Sequence, residues 1–390
     1  MLDGKSTDFE IYGGKHWEWY MNKTPTTFSE EDLLYMKRAL RLAGKAMGMT
    51  SPNPMVGAVI VKNERIVAED YHRKAGEPHA EALALLKADY AAKNATLYVT
   101  LEPCCHSDKR TPPCTRAIIN SEIKKVFVAM KDPNPKVSGK GIQELRNHGI
   151  TVIEGLLKEK AQKLNEAYCK YIVTKRPFVI LKAAMTLDGK IATPEGQSKW
   201  ITGEKARRLV HRMRCGVDAV MTAVGTVKAD NPELTSRTAC DKQPVRIIID
   251  PGLETPVDYR VCKLPPKTIF VIRYGKGDAG KIAELQKRGV QFIEYEGRKV
   301  DMNWLMERLG GIGITSILIE AGSSFNAACL TGAVVDKVVF FIAPKIICGR
   351  NSIPVVGGET FMKLEDALRI SDLQVSRVDE DVMIEGYINN

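Results

Sequence analysis

Long apolar runs are missing from this sequence of 390 residues. No segment approaches the roughly 18 apolar residues that a bilayer-crossing helix requires, so no membrane partner is expected. The first 28 residues lack the apolar block of a secretory signal. They are polar with an aromatic cluster, His16-Trp17-Glu18-Trp19-Tyr20, and read as a loosely ordered extension. A disulfide framework is lacking too. The nine cysteines are odd in number and irregularly scattered, which argues for a reducing compartment and an expected cytoplasmic location. Internal repeats and low-complexity tracts do not occur. The net charge of +10 suits either nucleic acid or small phosphorylated molecules met by a few arginines. No block of Lys/Arg interleaved with aromatics is found, which favours the small molecule and leaves nucleic acid unexpected.

What is present is an alternation of helical and strand patterns in two rounds. From Phe28, Ser29 can cap a helix whose Glu30-Glu31-Asp32 suits its positive end, with Leu33, Met36, Leu40 and Ala43 on one face. Strand patterns Val56–Val61 and Arg65–Tyr71 flank a hairpin turn. Helix from His79, strand Thr96–Leu101, helix after Pro112-Pro113, strand Lys125–Met130, helix Gly141–His148 and strand Ile150–Glu154 follow. That order predicts a three-layer α/β sandwich over 29–173. Arg176-Pro177 breaks any helix and the pattern restarts, so a second α/β domain is expected over 174–390.

The chemistry of the first round lies in Pro78-His79-Ala80-Glu81 and the stretch Glu102–Cys114. One imidazole, up to three thiols and a nearby carboxylate are the inventory of a zinc site that activates water, with a carboxylate to move protons. His79 and Glu81 open a helix and Cys114 begins another, where the helix dipole favours thiolates. His79, Cys104 and Cys114 leave a fourth tetrahedral position open, and Glu81 is placed to shuttle a proton. The alternative is a closed structural site completed by Cys105 or His106. The H-x-E…P-C-x-x-C signature of nucleobase deaminases fits in its first half only, because nine residues separate Cys104 from Cys114.

In the second round, Lys182–Ala192 reads as a strand ending in a turn. A basic helix from Glu204 carries Arg207, Arg208, His211, Arg212 and Arg214, most of them read as a solvated face. Asp230–Arg237 is a turn with a carboxylate and a cation close by. Gly275-Lys276-Gly277-Asp278-Ala279-Gly280 matches G-x-G-x-x-G between a strand and a helix. Lys276 and Asp278 make it better suited to a polar surface loop.

Pro52-Asn53-Pro54-Met55-Val56-Gly57-Ala58, His72–Glu81, Glu102–Cys114 and Asp132-Pro133-Asn134-Pro135 resemble the deaminase half of the bifunctional riboflavin-biosynthesis deaminase–reductase family. The later stretches resemble its reductase half, and the likeness runs from about residue 29 to the end. It implies a cytidine-deaminase-like domain followed by a dihydrofolate-reductase-like domain, with Zn2+ and NADPH as cofactors. It further implies His79, Cys104 and Cys114 as zinc ligands, with Glu81 as proton shuttle. Substrate contacts would fall on Asn53, His72, His106, Arg110 and Asn134. In the second domain Ser198, Arg214, Leu234, Arg237 and Glu320 would hold the sugar phosphate. Ala184, Trp200, Thr202, Thr226, Asp230, Gly322 and Ser323 would line the NADPH site. Lys182, Asp230 and Glu320 are candidates to assist reduction. Position 105 is also cysteine, and the His106–Arg110 loop is one residue longer than the family pattern. A small phosphorylated pyrimidine is the expected substrate. A homo-oligomer is expected without a sequence feature that fixes it.

Overall fold

The computed structural model describes residues 28–105, 112–237, 242–263, 265–358 and 363–389. The expected N-terminal extension lies almost wholly outside them.

The first helix, α1 (Glu30–Gly44), starts where the sequence asks it to. Ser29 Oγ accepts from Asp32 N–H and the Asp32 side chain accepts from Ser29 N–H, a reciprocal capping box. Its buried stripe runs through Tyr35, Met36, Ala39, Leu42 and Ala43, with Leu33 and Leu40 half-buried at the margin. Strands β1 (Gly57–Lys62) and β2 (Arg65–Tyr71) form a hairpin whose turn residues Asn63 and Glu64 both have positive φ. That geometry matches the twist of the paired strands.

Helix α2 (Ala80–Ala88) leads to β3 (Thr96–Val99), α3 (Cys114–Asn120), β4 (Lys125–Val128), α4 (Lys140–Asn147) and β5 (Thr151–Glu154). The sheet order is β2-β1-β3-β4-β5, with β3, β4 and β5 parallel. Gly57–Val61 of β1 are all buried, so both faces of the sheet are covered. On one face Tyr98 stacks on Phe127 at 4.8 Å and meets Tyr35 of α1 at 5.2 Å. Helices α2, α3 and α4 pack against one another as the opposite layer.

Helices α5 (Lys158–Leu164) and α6 (Glu166–Thr174) carry the chain to β6 (Phe178–Thr186), which opens a second sheet. After β7 (Lys190–Ala192) and α7 (Glu204–Gly216) come β8 (Ala219–Ala223), α8 (Val224–Asp230), β9 (Val245–Ile249) and β10 (Thr268–Arg273). Next are α9 (Ala279–Lys287), β11 (Gln291–Tyr295), α10 (Met302–Gly311), β12 (Ser316–Ile319), α11 (Ser323–Thr331) and β13 (Lys337–Ala343). Strand β14 (Ile353–Pro354) pairs with β7, and β15 (Ile370–Val378) and β16 (Asp381–Ile388) end the chain. The nine-stranded order is β11-β10-β9-β8-β12-β6-β13-β16-β15. It is parallel from β11 to β13 and antiparallel for the last two pairings. The central strands β10 and β12 are buried on both faces, which is why they read as unbroken apolar runs.

The two sheets are joined by polar contacts from α6. Lys170 Nζ meets Asp336 at 2.7 Å, and Tyr387 OH donates to Glu166 at 2.5 Å. Among the described residues no helix is long and apolar enough to cross a membrane.

Candidate functional site

Three potential ligands converge where helices begin. His79 sits just before α2 with extended backbone (φ −74°, ψ 160°) and makes no side-chain capping bond. Cys114 is the first residue of α3, and Cys104 follows β3 by way of Pro103. His79 Nδ1 lies 3.2 Å from Cys114 Sγ and 3.6 Å from Cys104 Sγ, and the three donor atoms lie within 4.8 Å of one another. Among the described residues the cluster holds Cys104 and not Cys105. Hydrogen bonding with Cys114, then with His79, outweighs burial and lowers the Cys104 thiol below its ordinary value. Cys114, bonded to Cys104 and buried, keeps the proton the pair shares. Glu81 is 3 % exposed, and burial pushes its carboxyl above the usual range. The shift favours the proton-bearing form, the direction that suits a group that takes up and returns a proton.

The expected substrate contacts gather around this cluster in part. His72, buried, donates from Nδ1 to the Pro78 carbonyl at 3.1 Å, because a carbonyl only accepts. Its Nε2 therefore accepts from Asn53 Nδ2 at 3.3 Å. The His72 and His79 rings meet edge to face at 5.4 Å. Asn134 sits in a turn after β4, its N–H donating to Asp132 Oδ1 at 2.9 Å and its own Oδ1 accepting from Lys136 N–H at 3.1 Å. His106 and Arg110 lie outside the described residues.

Two supports here had no role assigned from the sequence. The first is Asn165, which clamps the Met55 backbone through both of its amide atoms, at 2.8 and 2.9 Å. The second is Glu102, 3 % exposed. Its carboxylate accepts from the N–H groups of Asp132, Gly139, Gly141 and Ile142 at 2.9–3.3 Å. It thereby ties the loop bearing Asn134, and the start of α4, to the end of β3. A Cβ on Gly141 would lie 2.1 Å from the Pro103 carbonyl oxygen, so only glycine permits this approach. Glu102→Ala leaves those N–H groups without their acceptor. It should lower stability by roughly 2–3 kcal/mol, read as a shift of the urea midpoint.

A second constellation forms at the carboxyl ends of the parallel strands of the larger sheet, where open α/β sheets bind ligands. A cavity of about 1250 Å³ opens there. The five residues expected to hold the sugar phosphate and the seven expected for the dinucleotide all line it. At its floor Glu320 takes a bidentate grip from Arg214 (Nε 2.5 Å, Nη2 3.1 Å), and Lys182 Nζ lies at 3.4 Å. Arg214 also donates to the Thr235 carbonyl at 2.9 Å. Burial pushes the Glu320 carboxyl up, but Arg214 and Lys182 outweigh it and hold it at about 2. The ion pair thus favours the ionised form of Glu320. Asp230 pairs with Lys199 at 3.1 Å.

The solvated-face reading of α7 holds for the exposed Arg212 and fails for the face toward the cavity, which the exposed Arg208 also lines. Arg207, His211 and Arg214, at helical spacing, all face the cavity. The Arg207 guanidinium stacks 4.6 Å from the Trp200 ring. The G-x-G-x-x-G match lies apart from the cavity lining. Asp278 caps α9 by accepting from Lys281 N–H at 2.7 Å, so a carboxylate already stands where a pyrophosphate would bind.

The donor sets fit two cofactors. One imidazole and two thiols suit zinc, and among the described residues no fourth side chain joins them. Gly322 precedes α11 at the cavity wall, and Ser323 Oγ in its first turn is buried with no hydrogen-bond partner among the described residues. A helix N-terminus with an unsatisfied hydroxyl suits the phosphates of a dinucleotide.

Comparison with known proteins agrees with this geometry. Residues 29–130 match the cytidine and deoxycytidylate deaminase zinc-binding region, and residues 177–384 match the RibD C-terminal domain. The riboflavin biosynthesis protein RibD of Actinobacillus pleuropneumoniae is 45% identical over 359 residues, covering 92% of this chain and 95% of the relative. That of Aquifex aeolicus is 45% identical over 356 residues, covering 91% and 98%. The solved structure of Acinetobacter baumannii RibD superposes with a TM-score of 0.83 at 36% identity, covering 93% of this chain and 99% of that one. The diaminohydroxyphosphoribosylaminopyrimidine deaminase/5-amino-6-(5-phosphoribosylamino)uracil reductase of Thermotoga maritima gives 0.81 at 38% identity, covering 92% and 99%. The cytidine-deaminase-like and dihydrofolate-reductase-like folds implied by the sequence are thus both present. The chain belongs to the bifunctional deaminase–reductase family of riboflavin biosynthesis, with zinc the cofactor of its first activity and NADPH that of its second.

Proposed function

We propose that the first domain deaminates 2,5-diamino-6-(5-phosphoribosylamino)pyrimidin-4(3H)-one. The second then reduces the ribosyl group of the resulting 5-amino-6-(5-phosphoribosylamino)uracil to ribityl. The observation that carries this reading is the buried Glu81 beside the His79–Cys104–Cys114 cluster, in one chain with a separate cavity able to take a dinucleotide and a phosphorylated sugar.

In the deamination a C–N bond breaks, a C–O bond forms and water supplies both oxygen and protons. Zinc, when bound, supplies a Lewis acid that makes water acidic enough to attack at neutral pH. His79, Cys104 and Cys114 would hold it. Glu81 takes the proton released by water and delivers it to the departing amine, so that ammonia leaves neutral. Asn53 and His72 hold the pyrimidine over the ligands, and Asn134 approaches from the adjacent loop. His106 and Arg110 are assigned to the same substrate.

In the reduction NADPH, when bound, supplies the hydride. The Arg214–Glu320 pair fixes the floor against which the ribosyl group lies, with Lys182 as the nearest cation. Ser198, Leu234 and Arg237 complete the substrate side. Ala184, Trp200, Thr202, Thr226, Asp230, Gly322 and Ser323 line the dinucleotide side. The contribution of these groups is orientation of donor and acceptor. We place the division between the domains near residue 174. A cytoplasmic homo-oligomer is part of the same proposal.

Mass analysis after incubation with the diaminopyrimidine nucleotide tests it. Without NADPH the product should show NH replaced by O, and with NADPH a further gain of two hydrogens. An unchanged substrate in both incubations would sink the proposal.

A further inference from the structure

Asp218, immediately before β8, is 6 % exposed and reaches out of its own domain. Its Oδ2 accepts from Ser51 Oγ of the first domain at 2.7 Å. The same oxygen accepts from Thr315 N–H at 2.9 Å and Thr315 Oγ1 at 2.7 Å. Its Oδ1 takes Lys242 Nζ at 2.5 Å.

Ser51 lies inside the turn closed by Asn53 N–H on the Thr50 carbonyl at 2.7 Å. The same turn presents Asn53 Nδ2 to His72 Nε2. The segment leading into it is pressed on the second domain. A Cβ on Gly48, whose φ is +79°, would lie 2.1 Å from the Cys215 carbonyl oxygen, and the Met47 side chain lies against Gly216. From the other side Asn165 holds Met55.

The Thr50–Met55 segment is thus fixed at both ends, and one anchor belongs to the reductase half. We infer that Asp218 is a positioning residue for the deaminase site, acting through Ser51 on the turn that carries Asn53. The inference rests on the deaminase reading of the first domain. It explains why a buried carboxylate of the second domain is aimed at a hydroxyl of the first. It also makes the first site dependent on the docking of the second domain.

The test uses the full chain with zinc bound. Ser51→Ala removes the bond across the interface and leaves Asp218 paired with Lys242 and Thr315. The deaminase KM should rise roughly three- to tenfold, the size of one lost hydrogen bond. Deaminase kcat, zinc content and reductase kinetics should stay near the parent's. Ser51→Thr, which keeps the hydroxyl, should restore KM. Asp218→Asn should give a KM defect that does not add to that of Ser51→Ala. A deaminase KM unmoved in Ser51→Ala, or no rescue by Ser51→Thr, overturns the inference even if Asp218→Asn fails to fold. Failure of the parent chain to release ammonia would instead overturn the deaminase reading beneath it.

Discussion

Glu81→Gln is expected to lower ammonia release by about 10²–10⁴-fold, the usual contribution of a positioned proton-transfer group, while bound zinc stays at the parent level. The amide keeps the shape of the carboxyl and fills the same buried space, but it cannot take a proton from water and pass it on. The proposed ligands His79, Cys104 and Cys114 keep their donor atoms. Reduction of already deaminated substrate should be unaffected, because Glu81 is not among the residues lining the second cavity. Burial is what fits Glu81 for the task, since it raises the carboxyl toward the operating pH. An ammonia assay on the purified variant, with metal analysis of the same sample, decides the point. Ammonia release near the parent rate would remove Glu81 as the proton shuttle.

Arg214→Met should abolish reductase turnover and destabilise the second domain by about 3–5 kcal/mol, the cost of leaving a buried charge without its main partner. Glu320 would retain only Lys182, at 3.4 Å. Replacing both partners, as Arg214→Met with Glu320→Gln, should recover much of that stability and none of the activity. A buried pair matters to stability chiefly through the penalty of breaking one side.

The pH dependence has a definite sign. The folded value of Glu320, about 2, lies below the ordinary 4.5. The pair's contribution is therefore fully present above about pH 4.5 and is lost as pH falls toward 2. The stability gap between the parent and Arg214→Met should narrow across that window and stay constant above it. Urea midpoints measured at several pH values would show it, and a gap that persists to pH 2 would contradict the ion-pair account.

The zinc cluster and the alternation of elements were legible in the sequence because each rests on local chemistry. Metal ligation restricts residue type, and ligands at helix starts leave a mark within a few positions, as Pro78-His79 and Pro113-Cys114 do. Helix and strand periods are also local, so most elements could be read in chain order, while the order of strands within each sheet could not. The resemblance added the reductase residues, which no spacing rule would have selected. It could not say how Glu320 is ionised, because Arg214 stands 106 positions away in the chain.

The literal G-x-G-x-x-G shows the opposite failure. Its spacing is right, but Asp278 turns it into a helix cap, and only the surroundings of the loop reveal that. The roles of Glu102, which stood within a quoted stretch, and of Asn165 were invisible because a buried polar side chain that serves distant backbone groups leaves no periodic pattern.

By itself, then, the sequence determined two α/β domains, the order of their elements and the zinc chemistry of the first. The resemblance implied Cys104, and tertiary structure places Cys104 rather than Cys105 beside His79 and Cys114, since adjacent residues on an extended segment point different ways. Tertiary structure alone decided that one stripe of the basic helix faces a cavity, and that Asp218 meets Ser51 across 167 positions. Such pairings depend on how the two domains dock, and docking is set by the packed surfaces of both.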